Sequence, residues 1–159
     1  MQNLEKQVDA LMRLCVAEGE MDRERVREEL KRMLQLRRSG GMDPELEIRR
    51  ILLELGAPDH LVGHPYVIRA ILLVVGDQLY INHITFGLYP QLAVEFDTTP
   101  ARVERAIRHL IEVTWIRGDI DVLDRYFGNT ISASRGKPTN GEFIARIANV
   151  VKSRLREAA

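Results

Sequence analysis

The feature that most constrains the fold of this chain is the spacing of its apolar residues, which recur mainly at three- and four-residue steps. Such spacing places apolar side chains on one face of a helix, whereas a half-buried strand requires strict alternation. No segment alternates convincingly, and residues 130–133 are the nearest candidate for a strand. The chain is therefore predicted to be all-α.

Glycine, proline and capping residues divide this pattern into separate helices. Asp43 followed by Pro44 is typical of a helix start, and Gly56 is typical of a helix end. Gly63-His64-Pro65 and the stretch from Gly128 to Asn140 are predicted to be loops. Six helices are then predicted in the main part of the chain, at 44–55, 66–75, 85–96, 100–116, 119–127 and 141–156.

The first 42 residues form a separate segment in this interpretation. They are predicted to contain helices at 3–17 and 23–38, or one long helix interrupted near Gly19, followed by a linker at Ser39-Gly40-Gly41. We therefore assign residues 1–42 to a helical N-terminal extension and residues 43–159 to the main domain. The extension either packs on the main domain as a helical pair or forms a homodimer, and we favour the homodimer.

Composition narrows the class of protein. Cys15 is the only cysteine, so no disulfide can form within the chain, and no apolar run reaches the ~20 residues of a membrane span. The first residues lack the apolar stretch of a signal peptide, so we expect a cytoplasmic protein without membrane contact. The formal net charge is zero, but residues 101–159 hold 11 basic and 7 acidic side chains. A local basic surface of this kind attracts phosphate.

Residues 93–103 have the spacing of a helix-turn-helix motif. Such a motif needs a small residue in its first helix, a tight turn about four residues later and a branched apolar residue about ten residues later. Ala93, Asp97 and Val103 stand at those offsets. Asp tolerates unusual turn angles, and Thr98 or Thr99 can cap the second helix. The motif predicts two helices crossing at close range.

The second motif helix has an inner and an outer side at 100° per residue. The inner side is apolar, and the outer side carries three arginines, a histidine and two acids: Arg102, Glu104, Arg105, Arg108, His109 and Glu112. Arginine pairs with guanine in the major groove, and a carboxylate can accept from cytosine. The alternative is a solvated surface in which Glu104 and Arg108 form a simple i,i+4 pair.

The sequence of this helix and its surroundings resembles a known family. Residues 98–109 resemble the recognition region of the C-terminal effector domain of stage 0 sporulation protein A, the master response regulator of sporulation. Further matches at 55–60, 84–85, 88–90, 115, 117–121, 127–128 and 137–145 extend the resemblance over about 45–155. It implies a six-helix bundle with a central helix-turn-helix, which binds short boxes in double-stranded DNA and contacts the sigma subunit of RNA polymerase.

The resemblance also implies roles for individual side chains, and the protein is then a transcription regulator. It makes Arg102, Glu104 and Arg105 the base readers. The side chains implied to contact the DNA backbone are Thr85, Arg108, His109 and Lys137.

Two departures from the family pattern bear on function. The family carries a phosphorylated receiver domain, and 42 preceding residues are too few for one, so we expect a different switch. The first motif helix carries lysines in the family where this sequence has Phe86, Val94 and Glu95, which predicts weaker phosphate binding. The alternative function is therefore a modulator that binds the full-length regulator or RNA polymerase without productive DNA binding.

No motif in the sequence predicts catalysis, a cofactor or a metal. The chain has no phosphate-binding glycine loop, and His60 and His64 have no third metal ligand nearby. The acidic cluster of Asp119, Asp121 and Asp124 lacks the spacing of a calcium loop. We expect no enzyme, no cofactor and no bound metal.

Overall fold

The computed structural model describes residues 42–128 and 136–158, and all regular structure in these ranges is helical. The predicted N-terminal extension with its linker, and residues 130–133, lie outside the described residues. Within the described part, no helix is long and apolar enough to cross a membrane. The elements in chain order are α1 Pro44–Glu54, α2 Gly63–Gly76, α3 Leu79–Asn82, a π-helical segment Ile84–Leu88, α4 Tyr89–Glu95, α5 Pro100–Arg117, α6 Ile120–Phe127 and α7 Asn140–Glu157.

The six predicted helices are confirmed, and the local signals behave as expected in α1. The side chain of Asp43 caps its start by accepting from the backbone N–H of Glu45 at 3.0 Å. Gly56 follows its end with a φ of +74°, and the N–H of Ala57 donates to the carbonyl of Leu52 at 2.9 Å. This is the Schellman arrangement that a glycine at this position favours.

The loop predicted at Gly63-His64-Pro65 is wrong, because α2 begins at Gly63. Pro65 lies in the first turn of α2, where a backbone N–H has no partner within the helix and its loss costs little. The one-turn helix α3 was not predicted, since four residues are too few to show a periodicity.

The helix predicted at 85–96 is present, but its first part is a π-helix. The N–H of Tyr89 donates to the carbonyl of Ile84, five residues earlier. Pro90 explains the wider turn, because it has no N–H and its ring would clash with the carbonyl four residues back, that of Phe86. The segment then continues as α4.

Helix α2 lies at the centre of the described domain and packs against α1, α5 and α7. Its apolar side chains are buried on most sides, as the sequence predicted for this segment. At one end of the core the rings of Phe127 and Phe143 stack with centroids 5.4 Å apart, and the rings of Trp115 and Phe127 form a T-shaped pair with centroids 5.0 Å apart. The C-terminal helix α7 is thereby held against α5 and α6.

A buried carboxylate joins α1 to α7. Glu47 is only 2% exposed and accepts a hydrogen bond from the guanidinium of Arg154. Arg154 also donates to the hydroxyl of Tyr126 at 3.1 Å, and that hydroxyl donates to Glu54 at 2.5 Å. The charge of Glu47 is therefore compensated, and three helices are tied together on the side of the core that α1 covers.

Candidate nucleic-acid interface

The turn between α4 and α5 has the geometry of a helix-turn-helix. Asp97 adopts a φ of +49°, the unusual backbone angle predicted for it. The N–H of Thr98 donates to the carbonyl of Ala93 at 2.9 Å, which closes a Schellman turn. Ala93 and Val103 are both buried, as the motif requires for two helices in close contact. The turn therefore holds α4 and α5 in a fixed crossing.

Thr99, and not Thr98, caps the start of α5. Its hydroxyl accepts from the N–H of Arg102 at 3.4 Å, and Pro100 follows as the first helical residue. Proline at this position already has the φ of a helix. The backbone N–H that it lacks would have had no hydrogen-bond partner in the first turn. The start of α5 is thus set by its own sequence.

An ion pair fixes α4 against α2. Arg69 donates to both carboxylate oxygens of Glu95, at 2.6 and 3.0 Å, and Gln91 donates to the same carboxylate at 2.9 Å. The hydrogen bond from Arg69 is the main reason that the pKa of Glu95 lies below its usual value. Glu95 therefore has a structural role in holding α4 against α2.

The outer side of α5 carries two rows of polar side chains with different partners. The first row contains Arg102, Arg105 and His109, all exposed. Neither arginine has a hydrogen-bond or ion-pair partner among the residues that the structure describes. Together with Leu61, Val62 and the first residue of α2, this row lines an open groove of about 470 Å³, the α2–α5 groove, which Arg108 and Glu112 also border.

The second row contains Glu104, Arg108 and Glu112, and its charges are paired. Arg108 forms an ion pair with Glu104. Lys137 donates to Glu112 at 2.7 Å, and this hydrogen bond is the first cause that lowers the pKa of Glu112. These side chains line a second groove of about 380 Å³ between α5 and the start of α7, the α5–α7 groove.

The structure thus distributes the predicted site residues over distinct environments. Arg102 and Arg105 are exposed and have no hydrogen-bond or ion-pair partner within the described ranges, whereas Glu104, Arg108 and Lys137 are held in intramolecular pairs. Thr85 is exposed in the π-helical segment, at the start of the first motif helix.

Sequence reasoning missed Asn140, which contacts both motif helices. Its side-chain amide donates to the backbone carbonyl of Glu104 and to the hydroxyl of Tyr89, each at 3.0 Å. A capping box holds the turn around it, because Thr139 and Glu142 exchange hydrogen bonds at 3.2 and 2.7 Å. The pattern Thr-x-x-Glu before an apolar run was the sequence signal that could have drawn attention to this turn.

The central turn, the buried contact of α4 with α5 and the cationic outer face of α5 define a helix-turn-helix domain of the DNA-binding class. The family described as Sporulation initiation factor Spo0A C terminal matches residues 48–151, well over half of the chain. The chain belongs to this family, which confirms the resemblance seen in the sequence. The family comprises DNA-binding effector domains of a sporulation regulator, and it is not an enzyme family.

Proposed function

We propose that this protein regulates transcription by binding duplex DNA sequence-specifically, with α5 in the major groove. The observation that carries the proposal is the exposure of Arg102 and Arg105, whose guanidinium groups have no partner among the described residues. Two free planar forks one helical turn apart suit guanine O6 and N7. Glu104 lies beside them and can accept from cytosine N4 once Arg108 turns to a phosphate.

The neighbouring polar residues are proposed to contact the DNA backbone. His109 is exposed on the outer side of α5 in the same row as the two arginines, and Thr85 stands at the start of the first motif helix, where a hydroxyl can meet a phosphate. Arg108 and Lys137 can also reach phosphates, but each first has to leave a carboxylate. Backbone contacts fix the position of the domain on the duplex, and the base contacts then select the sequence.

The test is selection of duplexes from a random pool at fixed salt concentration. The wild-type protein should enrich one short motif, and a variant with Arg102→Ala and Arg105→Ala should not. Because both side chains are exposed and contact no partner in the part of the chain that the structure describes, circular dichroism should show the same helix content in both proteins. A wild-type selection that returns no motif would refute sequence-specific binding.

Replacing Glu112 by glutamine is expected to strengthen DNA binding. The change removes the carboxylate that holds Lys137, so the ammonium group becomes available to a phosphate. The gain in Kd should be at most roughly fivefold, because solvent screens the attraction between these two surface charges. The salt dependence of log Kd should steepen by about one phosphate contact, a slope change of roughly 0.9.

The measurement is fluorescence anisotropy of a labelled duplex over a series of salt concentrations. Asp124→Asn is the control, since it changes the net charge by the same amount at an exposed position of α6. An equal gain for both variants would show that net charge, and not the release of Lys137, is responsible.

A second candidate function is supported by two exposed apolar side chains on the first motif helix. Phe86 is 90% exposed and Val94 is 82% exposed, at positions where the resemblance seen in the sequence implies lysines. Exposed apolar surface is a feature of protein contacts where it forms a contiguous patch. The protein would then modulate the full-length regulator or RNA polymerase. Capture of purified polymerase by the wild-type protein but not by Phe86→Ser, without a gel shift at low salt, would favour this function.

A further inference from the structure

We propose that Asn140 is a positioning residue that sets the orientation of the recognition helix α5 relative to α4 and α7. This inference rests on the proposed function, because the orientation of α5 matters to base reading. Asn140 itself lies in the α5–α7 groove and reaches the helix backbone beside Arg105.

The hydrogen bonds of Asn140 connect three helices through one side chain. The amide nitrogen carries two protons, and it donates one to the carbonyl of Glu104 and one to the hydroxyl of Tyr89, both at 3.0 Å. The Glu104 carbonyl lies in the first half of α5, and Tyr89 is the first residue of α4. A bond to the backbone of α5 restricts rotation of that helix about its axis, which a bond to a side chain would not do.

Asn140 is itself held in place on its own helix. It opens α7 directly after Thr139, whose hydroxyl accepts from the N–H of Glu142 at 3.2 Å. The buried ring of Phe143 then anchors this first turn in the core. The amide of Asn140 therefore projects from a fixed turn, and its hydrogen bond to the Glu104 carbonyl can hold α5 in a fixed position relative to that turn.

Loss of this contact should affect specificity more than overall affinity. Bidentate base pairing requires side chains placed within about 0.5 Å of the productive geometry. Phosphate contacts are made by long, adaptable side chains and supply most of the non-specific binding. A small rotation of α5 therefore weakens base contacts while leaving the attraction to the backbone nearly unchanged.

The test is the variant Asn140→Asp compared with Asn149→Asp. The carboxylate at 140 has no proton to donate to the Glu104 carbonyl, but it suits the first turn of α7, where negative charge is favourable. Asn149 is exposed on the same helix, so its replacement reproduces the change in net charge alone. We expect the ratio of operator to scrambled-duplex affinity to fall about tenfold in Asn140→Asp, the size of a single base mismatch. It should remain unchanged in Asn149→Asp.

A second measurement decides the question without DNA. Amide hydrogen exchange in residues 102–108 should become faster in Asn140→Asp, and thermal unfolding should remain cooperative. Unchanged exchange together with an unchanged affinity ratio would overturn the positioning role. A wild-type protein that does not distinguish operator from scrambled duplex would refute the proposed function, whereas the exchange comparison would still decide on the role of Asn140.

Discussion

Replacing Arg105 by alanine is expected to weaken binding to the selected operator by about 1–3 kcal/mol, the discrimination that one bidentate contact to a base supplies. Arg105 is exposed and makes no hydrogen bond or ion pair with the described residues, so its removal should leave the free energy of unfolding within about 0.5 kcal/mol of the wild type. A loss of binding can then be assigned to the contact with DNA.

The affinity has to be measured for both the operator and a scrambled duplex, because losing a base contact and losing a phosphate contact change these two affinities differently. Loss of a base contact lowers operator affinity and relaxes selectivity at one position, whereas loss of a phosphate contact lowers both affinities and reduces the salt slope by about one. Arg125→Ala is the control, since Arg125 is an exposed arginine on α6. Equal losses on both duplexes would contradict base reading by Arg105.

The elements of this fold could be predicted because their signals are local. The helix start at Asp43-Pro44, the glycine after α1 and the capping threonine before Pro100 each act through a hydrogen bond or a backbone angle within a few residues. The apolar periodicity likewise identified the buried side of α5. The start of α2 was predicted wrongly for a different reason. Gly63 is needed because the backbone of Ala106 in α5 lies too close for a side chain, and the local sequence does not show this contact.

The outer face of α5 could also be predicted, but the partners of its side chains could not. Which residues face outward follows from 100° per residue and needs no tertiary information. Lys137 and Glu112 are 25 residues apart, and Asn140 and Glu104 are 36 apart. Such pairs depend on how α7 and the residues before it pack against α5. This packing cannot be inferred from a pattern of neighbouring residues. The sequence therefore indicated the surface, whereas the structure was needed to separate the two arginines without a partner among the described residues from the paired side chains.

Replacing Gly63 by alanine is expected to destabilise the domain by about 2–3 kcal/mol, the upper part of the usual range for overpacking. A Cβ atom at this position would lie 2.2 Å from the carbonyl oxygen and 2.7 Å from the carbonyl carbon of Ala106. Both atoms belong to the backbone of α5, so no side-chain rotation can relieve the contact. Either α2 or α5 has to move, and a shift of α5 would also displace Arg105.

Gly76→Ala is the matched control, because it makes the same change at the other end of the same helix. A Cβ at Gly76 would meet no atom within 4 Å, so alanine should stabilise the domain by about 0.4–1 kcal/mol through the unfolded chain. Urea unfolding measures both free energies, and equal m-values would show that the two variants unfold from equally compact states. If both substitutions stabilised the protein, α2 could not approach α5 as closely as Gly63 indicates. The recognition helix α5 would then lack the close backbone contact with Gly63 on its buried side.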